Sequence, residues 1–302
     1  MTKGSKRLRN PGPVGGYHFI IWFDRCLPAS WFQGLLRFGV WIAFWLMPRQ
    51  RAYSREYLRL ALGHEPSNAE IFRHFLALSE SLVAKLRIGR GQPVPEFHIV
   101  PNGQEEAFVE LARSERPALF GTFHVGYSDL TGCMIGQFGR RVRMVRQRVG
   151  NAYDLTLLQR IFGEYVEFVW INEGESLLFA LKSVAEDGVS LALQCDREEH
   201  GSRHQHFDFM GARRRFPVTI YHLAHLFRMP VVFSFGFPGE AGHVDVLCSR
   251  PFEPTGESKK ADLQAGYLHF QEVLHQLEVE LKKRPYMWFN FLPMNSEDAH
   301  AS

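Results

Sequence analysis

The chain has 302 residues, 45% hydrophobic and 22% charged, a balance that supplies a buried core and excludes global disorder. Four cysteines (Cys26, Cys133, Cys195, Cys248) stand far apart with no Cys-x-x-Cys among them. That spacing argues against a disulfide framework or a cysteine zinc site and suits a reducing compartment. The net charge of +3 is uneven: residues 1–60 hold ten Lys or Arg against Asp24 and Glu56, so the remainder is net acidic.

The basic end also carries four of the six tryptophans, Trp22, Trp31, Trp41 and Trp45. Cations beside interfacial aromatics point to an anionic membrane surface. Nucleic acid fits less well, because long apolar runs separate the charges. The run 31–47, "WFQGLLRFGVWIAFWLM", is the one spanning candidate. As a helix it would rise about 25 Å, short of a hydrocarbon core of roughly 30 Å. Arg37 near its middle is costly unless it snorkels. Gln33 and Arg37 share a helix face, so a helix lying in the membrane plane reads as well as a spanning one. A buried aromatic helix is the third reading. No small-residue cleavage site follows, so no secretory signal is read.

Next comes an amphipathic stretch, "SREYLRLAL" (54–62). Ser67 with Glu70 three residues on forms a capping box, and Ile71, Phe72, Phe75, Leu82, Val83 and Leu86 follow at helical spacing. The Gly/Pro density of "IGRGQPVPE" (88–96) marks a linker. Beyond it, strand-like runs at 97–100, 118–123, 142–145, 167–171, 189–194 and 230–237 alternate with helix-length segments at 103–114, 125–137, 152–162, 174–186 and 217–227. A long helix over 261–285, stopped by Pro285, closes the chain. The alternation predicts an α/β domain over 96–302, with a largely parallel central sheet flanked by helices. A helical, membrane-associating region precedes it over 1–95.

His124 directly follows "ALFGTF", where a parallel strand should end and chemistry collects. The free backbone N–H groups of a helix start there, near Gly126, would suit an oxyanion. Asp129 lies five positions on, close enough on a nascent helix to fix the imidazole tautomer and leave the other nitrogen as a general base. The pattern alone is weak, since His275 and Glu280 share its spacing in a charged helical stretch.

Its context is more specific. "ALFGTFHVGYSD" resembles the active-site block of the lysophospholipid acyltransferase superfamily, whose signature is His-x4-Asp or His-x4-Glu after an apolar strand. The closer likeness is to the bacterial branch of late acyltransferases of lipid A synthesis. It extends through "GGYHFIIWFDRCLP", "RQRAYSREYLRLALG", "VRMVRQ", "ALQCDRE", "FDFMGARRRFPVTIYHLAHLFRMPVVFSFGF" and "YMWFNFLP". The resemblance implies that His124 deprotonates the acceptor hydroxyl and Asp129 orients it. Arg146, with Arg160 a weaker counterpart, would face an acceptor phosphate, and Asp196, Gly211, Phe216 and Pro217 would shape the site. It implies acyl transfer from acyl carrier protein or acyl-coenzyme A to a hydroxyl or amine of a membrane lipid or glycolipid, with a lipid A-type acceptor favoured. No metal or other cofactor is expected, nor nucleic acid. The implied place is the cytoplasmic face of a bacterial inner membrane.

Two other readings stay open. "DREEHGSRHQHFDF" (196–209) contains His-x-His-x-Asp at His204, His206 and Asp208, with Glu198 and His200 nearby, the start of a binuclear metal-hydrolase pattern. Its next expected histidine is Phe209. A membrane-bound interaction module with an inactive acyltransferase fold is the non-enzymatic alternative. Gly-x-Ser-x-Gly, P-loop and Gly-x-Gly-x-x-Gly motifs are absent, leaving serine-hydrolase and nucleotide chemistry unsupported.

Overall fold

The computed structural model describes residues 14–147, 166–171, 187–197 and 203–294. Four helices lead: α1 (Val14–Cys26), α2 (Ala29–Leu46), α3 (Pro48–Leu62) and α4 (Asn68–Ile88). The capping box forms as expected. Ser67 Oγ accepts the Glu70 N–H, while the Glu70 carboxylate accepts the Ser67 N–H at 2.8 Å. Gly63, in the left-handed conformation, ends α3.

A seven-stranded sheet follows, in the order β1-β9-β8-β2-β5-β3-β4. Its strands are β1 (Phe97–Ile99), β2 (Leu119–Thr122), β3 (Val142–Gln147), β4 (Val166–Ile171), β5 (Ser190–Gln194), β8 (Val231–Pro238) and β9 (Val244–Cys248). All neighbours pair parallel except β8 and β9. Helices α5 (Glu105–Arg113), α6 (Thr131–Gln137), α7 (Thr219–Phe227) and α8 (Lys259–Lys283) are the others among the described residues. The expected helices at 152–162 and 174–186 lie outside them.

Both sheet faces are covered, which is why the strands read as continuous apolar runs. Leu119 and Phe123 turn to one core, shared with Phe32, Tyr57, Phe233, Phe270 and Trp288. Ala118 and Phe120 turn to the other, beneath α5 and α6. The leading helices thus share a continuous core with the sheet.

The polar stretch 196–209 does not stay a loop throughout: His204–Phe209 forms β6 of an antiparallel hairpin whose second strand is β7 (Ala212–Pro217). Phe207 and Phe209 are buried while Asp208 between them is exposed, the alternation of a strand. Met210 and Gly211 make the turn with positive φ at both positions, 52° and 73°, as a two-residue hairpin requires.

No helix of the described residues is long and apolar enough to cross a membrane. Helix α2 buries Phe32, Leu36, Val40 and Phe44 against the protein. It leaves Trp31, Phe38, Trp41, Ile42, Trp45 and Leu46 exposed on other faces. The segment is therefore a buried helix on one face and an exposed aromatic surface on the others.

Candidate active site

The register of β2 and β5 creates the site. Thr122 pairs with Gln194, so His124 and Asp196 each stand two residues past neighbouring parallel strands, on the same rim. The backbone between them is tied by Cys195 N–H donating to Thr122 O at 2.8 Å. Asp196 Oδ1 lies 2.7 Å from His124 Nδ1, and Oδ2 accepts the His124 backbone N–H at 3.0 Å. Trp288 adds its indole N–H to Oδ2 at 3.1 Å.

The Asp196 side chain is fully buried and that of His124 is 24% exposed. Burial raises the Asp196 pKa, but the attraction and hydrogen bonds of His124, aided by Arg197, outweigh it and hold the carboxyl below its ordinary value. An ionised carboxylate only accepts, so Nδ1 carries the proton, and in the neutral imidazole Nε2 presents the lone pair.

The orienting carboxylate is therefore Asp196 and not, as the sequence spacing suggests, Asp129. Asp129 Oδ2 accepts from Lys85 Nζ at 2.6 Å, and Oδ1 from Gln194 Nε2 at 3.1 Å. The reason is the path of the chain after β2. No α-helix begins at residue 125. The backbone bridges Val125 to Trp288, turns at Gly126 with φ of 44°, and passes a 3-10 turn (Ser128–Leu130) before α6 starts. The expected helical geometry between positions 124 and 129 never forms.

The same path removes Gly126 from oxyanion duty. Its N–H donates to Met287 O at 2.7 Å, and its carbonyl accepts from Ser81 Oγ at 2.7 Å. Tyr127 N–H is likewise engaged, by Gly236 O at 2.8 Å. A Cβ at position 126 would sit 2.5 Å from Gly236 O, so close approach as well as φ demands glycine.

The remaining sequence candidates scatter. Arg146 lies on β3, its backbone opposite Trp170, with its side chain outside the described residues, as is all of Arg160. Phe216 is buried, its ring stacked on Phe123 at 5.8 Å, so it braces the strand behind His124 instead of meeting an acceptor. Pro217 is buried at the end of β7, and Gly211 is exposed at the hairpin tip, where its left-handed φ explains it. Alternation puts His204, His206 and Asp208 on one side of β6, while Glu198 and His200 lie outside the described residues. Among the described residues, the trio whose ligand atoms converge is Glu96, His98 and His243.

Sequence reasoning missed Lys85, Gln194 and Trp288 as neighbours of the site. Each comes from a segment remote in sequence, and only the position of Asp196 just past a strand signalled its partnership. A small cavity of about 220 Å³, lined by Gln33, Glu80, Arg87 and Tyr127 among others, opens between α2, α4 and the His-x4-Asp segment. Burial raises the Glu80 pKa there, against the pull of Arg37 and Arg73.

No protein-family model matches the sequence, and no curated protein matches it. Among solved structures, the chain is similar to the 1-acyl-sn-glycerophosphate (LPA) acyltransferase PlsC from Thermotoga maritima. The two are 16% identical, with 83% of this chain and 98% of that chain covered at a TM-score of 0.37. At that score and identity the likeness by itself establishes no shared activity. The chemistry rests on the site: a partly exposed histidine at the end of a parallel strand, backed by a buried carboxylate.

Proposed function

We propose that the protein is a membrane-surface acyltransferase that moves a fatty acyl group from a thioester, on acyl carrier protein or coenzyme A, to a lipid hydroxyl or amine. A lipid A-type acceptor is favoured by the sequence resemblance. The observation that carries the reading is the 2.7 Å contact between His124 Nδ1 and the buried Asp196 carboxylate at the end of a parallel strand. Nε2 of His124 removes the acceptor's proton as its oxygen attacks the thioester carbonyl. Asp196 stabilises the imidazolium. The C–S bond then breaks, the ester forms, and the departing thiolate takes the proton from Nε2. Transfer in this single complex uses no covalent enzyme intermediate, and the acyl thioester is the only co-substrate it calls for.

Lys85, held by Asp129 at 2.6 Å and partly exposed, is a cation beside this segment suited to an acceptor phosphate. Arg146 retains the same proposed role. The cavity beside Tyr127 provides polar groups for an acceptor head group. Exposed Phe19, Trp22, Trp31, Trp41 and Trp45, with Arg25, Arg37 and Arg49 among them, support interfacial attachment; the cytoplasmic face of a bacterial inner membrane is what the sequence resemblance implies.

The test is release of free thiol from long-chain acyl thioesters by the purified chain, with lipid extract of a bacterial envelope as acceptor. His124→Ala should abolish transfer with unchanged far-UV circular dichroism. Undiminished turnover in that variant refutes the assignment.

A further inference from the structure

Among the described residues, strand β1 is an edge of the sheet, three residues long, and β9 is its one strand partner. Phe97 pairs with Val244 in parallel, so Glu96 stands opposite His243 and His98 opposite Asp245. In-register residues of parallel neighbours project to the same side, and residues two apart share a face. Glu96, His98, His243 and Asp245 therefore converge on one side of this edge. The imidazoles of His98 and His243 stack with centroids 4.0 Å apart and planes 22° from parallel. His243 Nδ1 lies 3.3 Å from Glu96 Oε2.

We propose that Glu96, His98 and His243 form a binding site for a borderline divalent cation of the zinc class. One ligand atom from each lies within 4.8 Å of the others. Tetrahedral bonds of about 2.0–2.2 Å place ligand atoms roughly 3.4 Å apart, so small side-chain rotations close the set. Those rotations are cheap because the Glu96 side chain is 79% exposed. Two imidazoles with one carboxylate are the donors zinc, cobalt and nickel prefer, and they discriminate against magnesium and calcium, which favour all-oxygen sites. Asp245 is not needed as a ligand, since Arg284 Nη2 holds its Oδ2 at 2.7 Å.

Three protein ligands leave a fourth position open. It faces a basin of about 930 Å³ that His98 and His243 help to line, with Arg73 and Lys283 on its wall. Water or an anion would complete the shell there. Joining β1 to the start of β9 through a metal would staple the weakest edge of the sheet.

Calorimetric titration of ZnCl2 into the full-length, tag-free chain tests the site, with thermal unfolding followed in parallel. One zinc per chain should bind, and zinc should raise Tm because it binds the folded form. His98→Ala and His243→Ala should each weaken binding at least about tenfold, the lower bound for losing even an outer-shell partner. Each should also abolish the Tm rise, which MgCl2 should not produce. Glu96→Gln, an exposed and nearly isosteric change, should weaken binding without altering circular dichroism, and so serves if a histidine variant misfolds. Absence of binding, or binding and a Tm rise that survive in the His98→Ala/His243→Ala double variant, overturns the proposal. The acyl-transfer assay with His124→Ala remains independent of either result.

Discussion

Trp288 donates its indole N–H to Asp196 Oδ2 at 3.1 Å, and that same oxygen accepts the backbone N–H of His124. The carboxylate is thus fixed from two directions before it meets the imidazole. Trp288→Phe keeps the packing against Tyr57 and Phe209 but removes this donor. We expect about 1–3 kcal/mol lower stability, the usual cost of stranding a buried hydrogen-bond partner. The pH profile of acyl transfer should also shift. An unaltered profile would limit Trp288 to packing.

The two acidic residues divide their work. Asp196→Asn removes the ionised acceptor from Nδ1 and permits the wrong tautomer, as in other Asp–His pairs, so turnover should fall on the order of 10³–10⁴-fold. Asp129→Asn keeps an oxygen for Lys85 and should cost far less. Equal losses in a single-turnover thiol-release assay would contradict this division.

Gly126→Ala should disable the loop. The new methyl meets Gly236 O at 2.5 Å in a backbone conformation that disfavours alanine. We expect loss of transfer and at least about 1 kcal/mol of destabilisation in urea unfolding. Wild-type activity would show that the loop tolerates a shift.

Acid should unfold the protein earlier than its carboxylates alone require. Burial depresses the His74 pKa to about 4, against a bond from its Nε2 to Trp288 O. Burial likewise depresses His269 to about 4, with Arg250 O on its Nε2. Both are neutral in the fold and protonate more readily unfolded, near pH 6.5. Their contribution is complete above about pH 6.5 and is lost as pH falls toward 4, roughly 3 kcal/mol for each histidine. Urea midpoints should drop between pH 7 and pH 5. A flat profile would contradict the buried neutral state.

Surface attachment should depend on the exposed indoles and on charge. A Trp41→Ala/Trp45→Ala variant should lose flotation with anionic phosphatidylglycerol vesicles, and high salt should weaken the wild type. Equal flotation of both proteins would assign the aromatic face to another partner.

The sheet was largely legible because strands buried on both faces leave unbroken apolar runs, from 118–123 through 230–237. The β6/β7 hairpin was hidden by histidines and arginines, although Phe207, Phe209 and Phe216 alternate around a Met-Gly turn that could have revealed it. β9 is a five-residue strand, Val244–Cys248, interrupted by Asp245, which Arg284 neutralises from across the structure. At the site, His124 could be read from its position after a strand. Asp196 could be placed near the site but not paired with the histidine, because local spacing favours Asp129 while strand register delivers Asp196. Lys85 and Trp288 reach the site only through tertiary packing, for which no local pattern exists.

The loop bearing His124 is clasped by residues made late: Met287 takes the Gly126 N–H, Trp288 bridges Val125, and Phe289 donates its N–H to His124 O at 2.7 Å. A ribosome that has emerged only residues 1–284 therefore displays the histidine with no clasp and an incompletely held carboxylate. Such a nascent chain should leave thioesters untouched, so that the proposed catalytic centre assembles only when synthesis has passed residues 285–289.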